Sequence, residues 1–214
     1  MRIYAVADIH GRKDRFALIR KKAVETGADL IVMAGDIAGL NSHPHVHDLL
    51  KSMPAPVFYV RGNSDRRRTD RMLLADPLIT HLHLNKVRIQ GLCFAGISGT
   101  FLLPFSSRLC LRENRLLSRL NDFFNDVSVL VTHPPPRGTV DRVMGRFHSG
   151  SSALRALTLT CQPCVVICGH IHEHAGTVFL GRTLVVNCSL ARQGAGALIE
   201  FRNGDPPEAT MLGV

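Results

Sequence analysis

The sequence has no tryptophan and only two tyrosines in 214 residues. Proteins that bind single strands of nucleic acid without sequence preference stack the bases on aromatic side chains, so this shortage argues against such a platform. No apolar run approaches the roughly 20 residues that a membrane span requires. The N-terminus also lacks the apolar core and small-residue cleavage site of a secretory signal. We therefore expect a cytoplasmic protein with no membrane partner.

The six cysteines are too sparse and irregular for a disulfide scaffold, and they indicate a reduced compartment such as the cytosol. Cys161 and Cys164 do have the CxxC spacing of a redox pair or of half a zinc site. Because no second CxxC completes a structural zinc site, ordinary thiols are favoured.

The length is that of one domain, 1–214, which can bury a full-sized core. The formal net charge is +9, which favours polyanionic partners such as phosphorylated metabolites, nucleotides or nucleic acid. Many of the positive charges are arginines, which grip phosphate with two parallel hydrogen bonds. They crowd around Asn63 and follow His133, at positions Arg61, Arg66, Arg67, Arg68, Arg71, Arg137, Arg142 and Arg146. For Arg67 and Arg68, a solvated face that only aids solubility is an equal alternative.

Strand-like runs alternate with helical patterns in the first third of the chain, which predicts βαβ units and a mainly parallel sheet. The predicted strands are 2–7, 30–34 and 57–60, and the predicted helices are Asp14–Thr26 with Asp14 as N-cap, Val46–Ser52 and Asp65–Asp76. Short runs between Ile79 and Ile97 predict an antiparallel or mixed patch. A helix over roughly Ser106–Asn121 follows, and residues 98–122 are a candidate insertion into the single domain.

The last third of the chain predicts a further strand, an exposed stretch, a helix and more strands. The strand is 127–132, the exposed stretch rich in Gly and Pro is 134–150, and the helix is 151–159. A strand at 165–168 is followed by an expected meander of three strands at 177–180, 183–187 and 197–201. We expect the tail from Asn203 to fray.

Side chains that can bind a metal follow five of the predicted strands. The run Val165–Cys168 ends in Gly169 and then offers His170 and His172, and the other donors are Asp8, His10, Asp36, Asn63 and His133. In α/β proteins the ends of core strands are where chemistry is usually placed. Carboxylate and imidazole donors suit borderline divalent ions rather than a structural zinc site.

This ordered set resembles the calcineurin-like metallophosphoesterase superfamily. The motifs that carry the resemblance are Asp8-x-His10, Gly35-Asp36, Gly62-Asn63, His133 and Gly169-His170-x-His172. The three prolines after His133, the Gly150-Ser151 pair and Glu173 after His172 are similar to the small, stand-alone prokaryotic phosphodiesterases of that superfamily. The resemblance implies an α/β fold, a four-layer α/β/β/α sandwich in which two mixed β-sheets pack face to face with helices outside.

The resemblance also implies two divalent metal ions, Mn²⁺ first, with Fe, Ni or Zn as the other choices. Asp8, His10, Asp36 and His172 would hold one ion, and Asp36, Asn63, His133 and His170 would hold the other, with Asp36 bridging. A water shared by the two ions would lose its proton near neutral pH and attack phosphorus. The expected function is hydrolysis of a phosphoester, a diester rather than a monoester, and a nucleotide is one candidate substrate.

Two other functions remain as alternatives. A non-catalytic scaffold with the same sandwich tends to lose ligands, whereas this chain keeps them all. A nuclease is suggested by the net charge, but it requires a long basic groove, whereas the arginines concentrate around the predicted site. Nothing in the sequence indicates an oligomeric state.

The chain departs from the superfamily at Ser64. Many members have a histidine there, which assists the leaving group, and losing such a group typically costs about 10²–10⁴-fold. Either the substrate has an activated leaving group, or another residue replaces the histidine. His148 is the candidate, so that His148, Asn63 and Asp36 are the expected catalytic residues, while an idle surface histidine is the alternative reading of His148.

The remaining histidines suggest less. His174 is expected to be solvated or structural, and the His43, His45 and His47 run is expected to be a substrate-facing loop or plain surface. His81 and His83 alternate along a predicted strand, and we expect them on its exposed face.

Overall fold

Two six-stranded β-sheets stand at the centre of the computed structural model. The structure describes residues 1–38, 45–65, 78–99, 120–190, 194–202 and 204–213. Residues 66–76 of the predicted helix at 65–76 and most of the candidate insertion at 98–122 lie outside these ranges. Among the described residues, no helix is long and apolar enough to cross a bilayer.

The first sheet is parallel at its centre and antiparallel at one side. Its strands run in the order β14-β13-β1-β2-β3-β4, where β1 is Arg2–Val6, β2 Leu30–Ala34, β3 Val57–Val60, β4 Ile79–His81, β13 Gly194–Glu200 and β14 Glu208–Gly213. Strands β1 to β4 are parallel, and β13 pairs antiparallel with both β1 and β14. The carboxyl ends of β1, β2 and β3 therefore lie at one edge of this sheet.

The second sheet repeats this plan. Its order is β11-β12-β10-β7-β6-β5, where β5 is Val87–Ile89, β6 Leu92–Ile97, β7 Val129–Thr132, β10 Val165–Cys168, β11 Gly176–Leu180 and β12 Thr183–Asn187. Strands β6, β7, β10 and β12 are parallel, and β5 and β11 are antiparallel edges. Two short strands, β8 (Arg142–Val143) and β9 (Phe147–His148), form a separate hairpin.

The central strands β2, β3 and β10 are apolar and buried along their whole length, because both of their faces are covered. Ile3, Ala5 and Ala7 face the core between the sheets, whereas Tyr4 and Val6 pack in a second core with the helices α1 and α2. A third core lies on the outer face of the second sheet, against α3 and α4. The helices are α1 (Lys13–Thr26), α2 (Val46–Lys51), α3 (Asn121–Phe124) and α4 (Ser152–Cys161). The predicted four-layer sandwich of two mixed sheets flanked by helices is confirmed.

The ends of the two longer helices are set by local chemistry. Helix α1 ends at Gly27, which has a left-handed backbone and donates its N–H to carbonyls of the last turn. Asp14 is not the N-cap that we expected, since Arg12 precedes the helix and Asp14 lies in the first turn, paired with Arg12. Helix α4 begins after Ser151, whose Oγ accepts from Leu154 N–H.

Two expectations about the last third of the chain were wrong, and a third was right only in part. The meander breaks after β12, because β13 joins the first sheet beside β1 rather than continuing the second. The tail does not fray, since β14 pairs with β13 at the sheet edge. In the stretch 134–150 the three prolines are buried, as are Thr139, Val140 and Asp141, whereas residues 144–147 are exposed as expected.

The burial of that proline stretch has a simple cause. Proline has no N–H to satisfy, and the three carbonyl oxygens all accept hydrogen bonds. Pro134 O accepts from Thr132 Oγ1 at 2.8 Å, Pro135 O from Ser151 N at 2.9 Å and Pro136 O from Thr139 Oγ1 at 2.5 Å. With no unpaired polar group, the segment can be buried at little cost.

Candidate metal centre

The loops that follow β1, β2, β3, β7 and β10 meet at one rim of the sandwich. Three of these strands belong to the first sheet and two to the second. Contacts across the rim join the two sheets: His170 N–H donates to Asp8 Oδ2 at 3.1 Å, and His133 Nδ1 lies 2.8 Å from Ala34 O. The seven predicted ligands therefore occupy one place, drawn from both halves of the chain.

Glycines before three of the predicted ligands allow this close approach. A Cβ on Gly62 would lie 2.1 Å from Asp36 Oδ1, one on Gly35 would lie 2.5 Å from His133 Nδ1, and one on Gly169 would lie 2.3 Å from Ala7 Cβ. These distances are well inside van der Waals contact. Any side chain at these positions would push the loops apart.

The backbone at the rim is unusual at four of the predicted ligands. Asp8, His10, Asp36 and His170 have φ values of 61°, 55°, 53° and 68°. A positive φ is uncommon in residues other than glycine, and such conformations cost about 1–3 kcal/mol each unless the surroundings enforce them. The fold therefore holds these side chains in strained positions that point to function.

Two groups of donors lie close enough to hold a cation. The ligand atoms of Asp8, His10 and His172 lie within 4.8 Å of one another, and so do those of Asp8, Asp36 and His133. Asp8 belongs to both groups, and Asp36 Oδ2 of the second group lies 3.6 Å from His133 Nε2 and 3.9 Å from His10 Nδ1 of the first. That position suits the bridging role expected for Asp36.

The other two predicted ligands adjoin the second group. Asn63 Oδ1 lies 3.0 Å from His133 Nε2, and the ring of His170 packs edge-on against that of His133 with centroids 4.9 Å apart. The structure thus brings all seven predicted ligands together.

His133 shows that a cation would fit. Because the Ala34 carbonyl can only accept, Nδ1 of His133 carries a hydrogen, and Nε2 is the nitrogen turned toward the other donors. Nε2 lies 3.0 Å from Asn63 Oδ1 and 3.6 Å from Asp36 Oδ2. A metal-bound histidine characteristically donates its other N–H to a carbonyl in this way. A cation between Nε2 and these two oxygens would find three donors within reach.

Asp8 gives the same indication. Its side chain is fully buried, and Oδ1, which lies 3.2 Å from His172 Nε2, accepts no well-aligned hydrogen bond within the described part of the chain. Burial would raise the pKa of Asp8, but nearby His172 and His133 outweigh it and lower the pKa to about 2. Asp8 is therefore ionised at neutral pH, as a metal ligand must be.

The neighbouring imidazoles respond in opposite directions. Burial, together with the charge of His133, lowers the pKa of His170 to about 4. The contact with Asp8 raises the pKa of His172. At neutral pH His170 is thus neutral and ready to donate a lone pair.

Three side chains support the donors through contacts that the sequence did not predict. The buried Asp65 accepts from Ile37 N, Ala38 N and Gly62 N at 2.8–3.1 Å and joins the loops after β2 and β3. Ser64 donates to both oxygens of Asp36, from N at 2.7 Å and from Oγ at 2.9 Å. Arg15 donates to the backbone carbonyl of Asp8. These contacts depend on how the loops fold together and leave no motif.

His148 lies on the β8–β9 hairpin and is not one of the grouped donors. Its Nδ1 is 2.6 Å from Oδ1 of the buried Asp141. The hairpin is fixed to the segment directly after His172, because Met144 N–H donates to Glu173 Oε2 at 2.6 Å and Arg142 N–H to His174 Nδ1 at 3.0 Å. His174 thus has the structural role that the sequence allowed.

The expectation for His81 and His83 was wrong. His81 is partly buried, stacks on Tyr59 with ring centroids 4.7 Å apart, and contacts Ser98 Oγ at 2.8 Å. His83 Nδ1 accepts from Ser98 N–H at 3.1 Å. Burial is the main reason why the pKa of His81 falls to about 4. These side chains join β4 to the end of β6 and do not form an exposed face. His43 lies outside the described residues.

Known proteins resemble this chain in sequence and in fold. A family model described as calcineurin-like phosphoesterase matches residues 1–174. The uncharacterized protein MJ1162 of Methanocaldococcus jannaschii is 26% identical over 198 residues, 88% of each chain. A dimetal phosphatase from Danio rerio superposes with a TM-score of 0.69 at 13% identity, over 100% of this chain and 96% of that one. An archaeal phosphodiesterase gives a TM-score of 0.59 at 14% identity, over 99% and 100%. At these identities the two structures share the fold alone.

Proposed function

Because this chain belongs to the calcineurin-like phosphoesterase family, whose members are metal-dependent hydrolases of phosphoesters, we propose that it is a phosphodiesterase with a dinuclear metal site. The observation that carries this proposal is the convergence of carboxylates and imidazoles from both sheets, with Asp36 Oδ2 between His10 and His133. The motifs similar to small prokaryotic phosphodiesterases support the preference for a diester.

The ligand sets are those that the sequence suggested. Asp8, His10, Asp36 and His172 would hold one divalent ion, and Asp36, Asn63, His133 and His170 would hold the other. Two such ions would supply an activated water molecule and positive charge to offset that of the phosphate oxygens. Mn²⁺ is the ion to test first, because oxygen and imidazole donors without thiolate suit it.

The residues of the chain prepare this site in two ways. Ser64 donates two hydrogen bonds to Asp36 and so fixes the carboxylate between the two ligand sets. Asn63 supplies a neutral oxygen, which limits the negative charge that an approaching phosphate meets. The net charge of +9 attracts a phosphoester from a distance. A nucleotide fits these features as one class of substrate.

The wider setting follows from the composition and the motifs. We place the protein in the cytoplasm, because the number and spacing of its cysteines in the sequence are not those of a disulfide scaffold. All 214 residues would form one domain, with residues 98–122 as an insertion.

The experiment compares the wild type with Asn63→Ala after loading with Mn²⁺, on bis-p-nitrophenyl phosphate and p-nitrophenyl phosphate. We expect hydrolysis of the diester and a lower rate on the monoester. The hydrolysis rate of Asn63→Ala should fall at least about 100-fold, because the loss of a ligand would displace the metal ion from the position that the reaction requires. Asn125→Ala, at an exposed asparagine after α3, is the matched control. An inactive wild type, or equal rates for Asn63→Ala and the control, would refute the proposal that the protein is an enzyme. Faster hydrolysis of the monoester than of the diester would refute the diester preference.

A further inference from the structure

We propose that His148, positioned by Asp141, protonates the leaving oxygen and so replaces the histidine that is absent at Ser64. This inference rests on the phosphodiesterase function proposed above. It adds a positioning residue, Asp141, and a substrate class: diesters whose leaving group is an ordinary alcohol.

Asp141 is a buried carboxylate whose two oxygens both have hydrogen-bond partners. It is 0% exposed, and its Oδ2 accepts from Gly138 N at 3.1 Å and from Gly150 N at 2.9 Å. Its Oδ1 faces His148 Nδ1 at 2.6 Å. An ionised carboxylate is costly to bury unless such donors surround it. The two amides hold Asp141 in one orientation, and Asp141 then holds the imidazole.

This pairing decides which nitrogen of His148 is available. A carboxylate only accepts, so Nδ1 carries a hydrogen and the remaining nitrogen is Nε2. The side chain is 36% exposed, and Nε2 has no hydrogen-bond partner among the described residues. In its protonated form His148 therefore presents a proton at Nε2, as the histidine of a serine hydrolase triad does with an aspartate behind Nδ1.

The hairpin that carries His148 is anchored to segments that adjoin two of the metal donors. Gly150, just after the hairpin, packs against the proline segment that follows His133, where a Cβ on it would lie 2.7 Å from Pro135 O. Asn187 Nδ2 donates to Ile171 O at 2.9 Å and to His174 O at 3.0 Å, and it also contacts Val140 O at 3.3 Å. The segments that follow His133 and His172 thus both hold this hairpin.

Other candidates for the acid are less suitable. Ser64 already donates its hydroxyl to Asp36 and does not act as an acid near neutral pH. His174 accepts a backbone N–H through Nδ1 and has no carboxylate partner within the described residues. Within the same residues, His148 combines a buried carboxylate at hydrogen-bond distance with an available second nitrogen.

The step balances with water as the only co-reactant. The oxygen of the attacking water forms a new bond to phosphorus while the bond to the leaving oxygen breaks, and its electron pair stays on that oxygen. The proton moves from His148 Nε2 to the leaving oxygen, giving an alcohol. The water's proton passes to solvent, and the neutral imidazole takes a proton back. Asp141 stays ionised and stabilises the charged imidazole.

The test varies the leaving group. Mn²⁺-loaded wild type, His148→Asn, Asp141→Asn and the double variant are compared on p-nitrophenyl ethyl phosphate and phenyl ethyl phosphate. Phenol, with a pKa of about 10 like tyrosine, needs the proton more than p-nitrophenol does. We expect the hydrolysis rate of both single variants to fall about 10²–10³-fold on the phenyl ester and less than tenfold on the nitrophenyl ester. The double variant should be no worse than His148→Asn, because the two residues act as a unit.

Several controls separate this role from a structural one. Asp126→Asn, at an exposed carboxylate that pairs with Lys86 and Arg88, is the matched variant and should behave as wild type. Mn²⁺ affinity and melting temperature of His148→Asn should also match wild type. The imidazole ¹⁵N spectrum should show Nδ1 protonated in the wild type and lose that preference in Asp141→Asn.

The possible results distinguish a failure of the His148 assignment from a failure of the proposed phosphodiesterase function. Equal losses on both esters, or no loss in His148→Asn, overturn the assignment while the phosphodiesterase stands. If the wild type hydrolyses neither ester and Asn63→Ala resembles it, the phosphodiesterase itself fails, and this inference fails with it.

Discussion

Replacing Gly62 with alanine tests whether the close approach of two loops builds the site. The new Cβ would lie 2.1 Å from Asp36 Oδ1 and 2.5 Å from Asp36 N. The second of these atoms belongs to the backbone, so rotation of the Asp36 side chain cannot relieve the clash. Asp36 must move by roughly 1 Å to restore ordinary contact.

That displacement has two measurable costs. Overpacking of this kind typically destabilises a protein by about 1–3 kcal/mol. For a chain of this size each kcal/mol lowers the melting temperature by about 2–4 °C, so we expect a fall of roughly 2–12 °C. Moving a group at a reaction centre by about 1 Å can cost about 100-fold in rate, because Asp36 would no longer lie between His10 and His133.

The assay combines thermal unfolding, Mn²⁺ titration by calorimetry and hydrolysis of bis-p-nitrophenyl phosphate. Gly213→Ala is the control, because nothing lies within 4 Å of its added Cβ. We expect Gly62→Ala to bind Mn²⁺ at least about tenfold more weakly, in line with the effect of disturbing the support of a metal ligand. A variant that melts and binds Mn²⁺ as the control does would show that the loop approach does not position Asp36.

Three further predictions concern stability. Asp65→Ala should lower the free energy of unfolding by about 3 kcal/mol, because three buried amides lose their acceptor, and Asp65→Asn should cost less; a urea midpoint within error of wild type would contradict this. Met144→Asn should raise stability by about 0.5–1 kcal/mol, since Met144 (φ 52°) and Gly145 (φ 68°) form the turn between β8 and β9 and asparagine suits a positive φ; a lower melting temperature would count against it. The pKa of Asp8 is lowered from 3.8 to about 2, so the ionised carboxylate stabilises the folded, metal-free protein. This stabilisation is complete at pH values above the pKa of Asp8 in the unfolded chain, and it is lost as the pH falls toward 2. That loss is about 2 kcal/mol, and acid titration of unfolding should show it in wild type but not in Asp8→Asn.

The parts of the fold that sequence reasoning predicted depend on short stretches of chain. Each donor follows its own strand within a few residues, and parallel strands must end at the same edge of a sheet. The convergence of Asp8, Asp36 and Asn63 was therefore foreseeable. The sandwich was foreseeable through the family resemblance. That these donors hold metal stays a prediction.

The parts that were missed depend on contacts between distant residues. The pairing of β13 with β1 joins the two ends of the chain, and local patterns cannot distinguish it from the next strand of a hairpin. Asp141 lies in a stretch whose glycines and prolines are typical of an exposed loop, so the sequence did not predict that it is buried. Its partner His148 was found only as a loop histidine, because a hydrogen bond over seven residues has no sequence signature.

The polar residues at the rim also fasten the two sheets to each other. His133, from the second sheet, bonds to Ala34 of the first, and His170 bonds to Asp8. A relative that had stopped hydrolysing phosphoesters would lose cohesion between its two halves if it discarded these side chains. Selection for folding alone would then preserve much of the ligand set. Measured turnover, rather than an intact set of motifs, must decide which members of such a lineage are still enzymes.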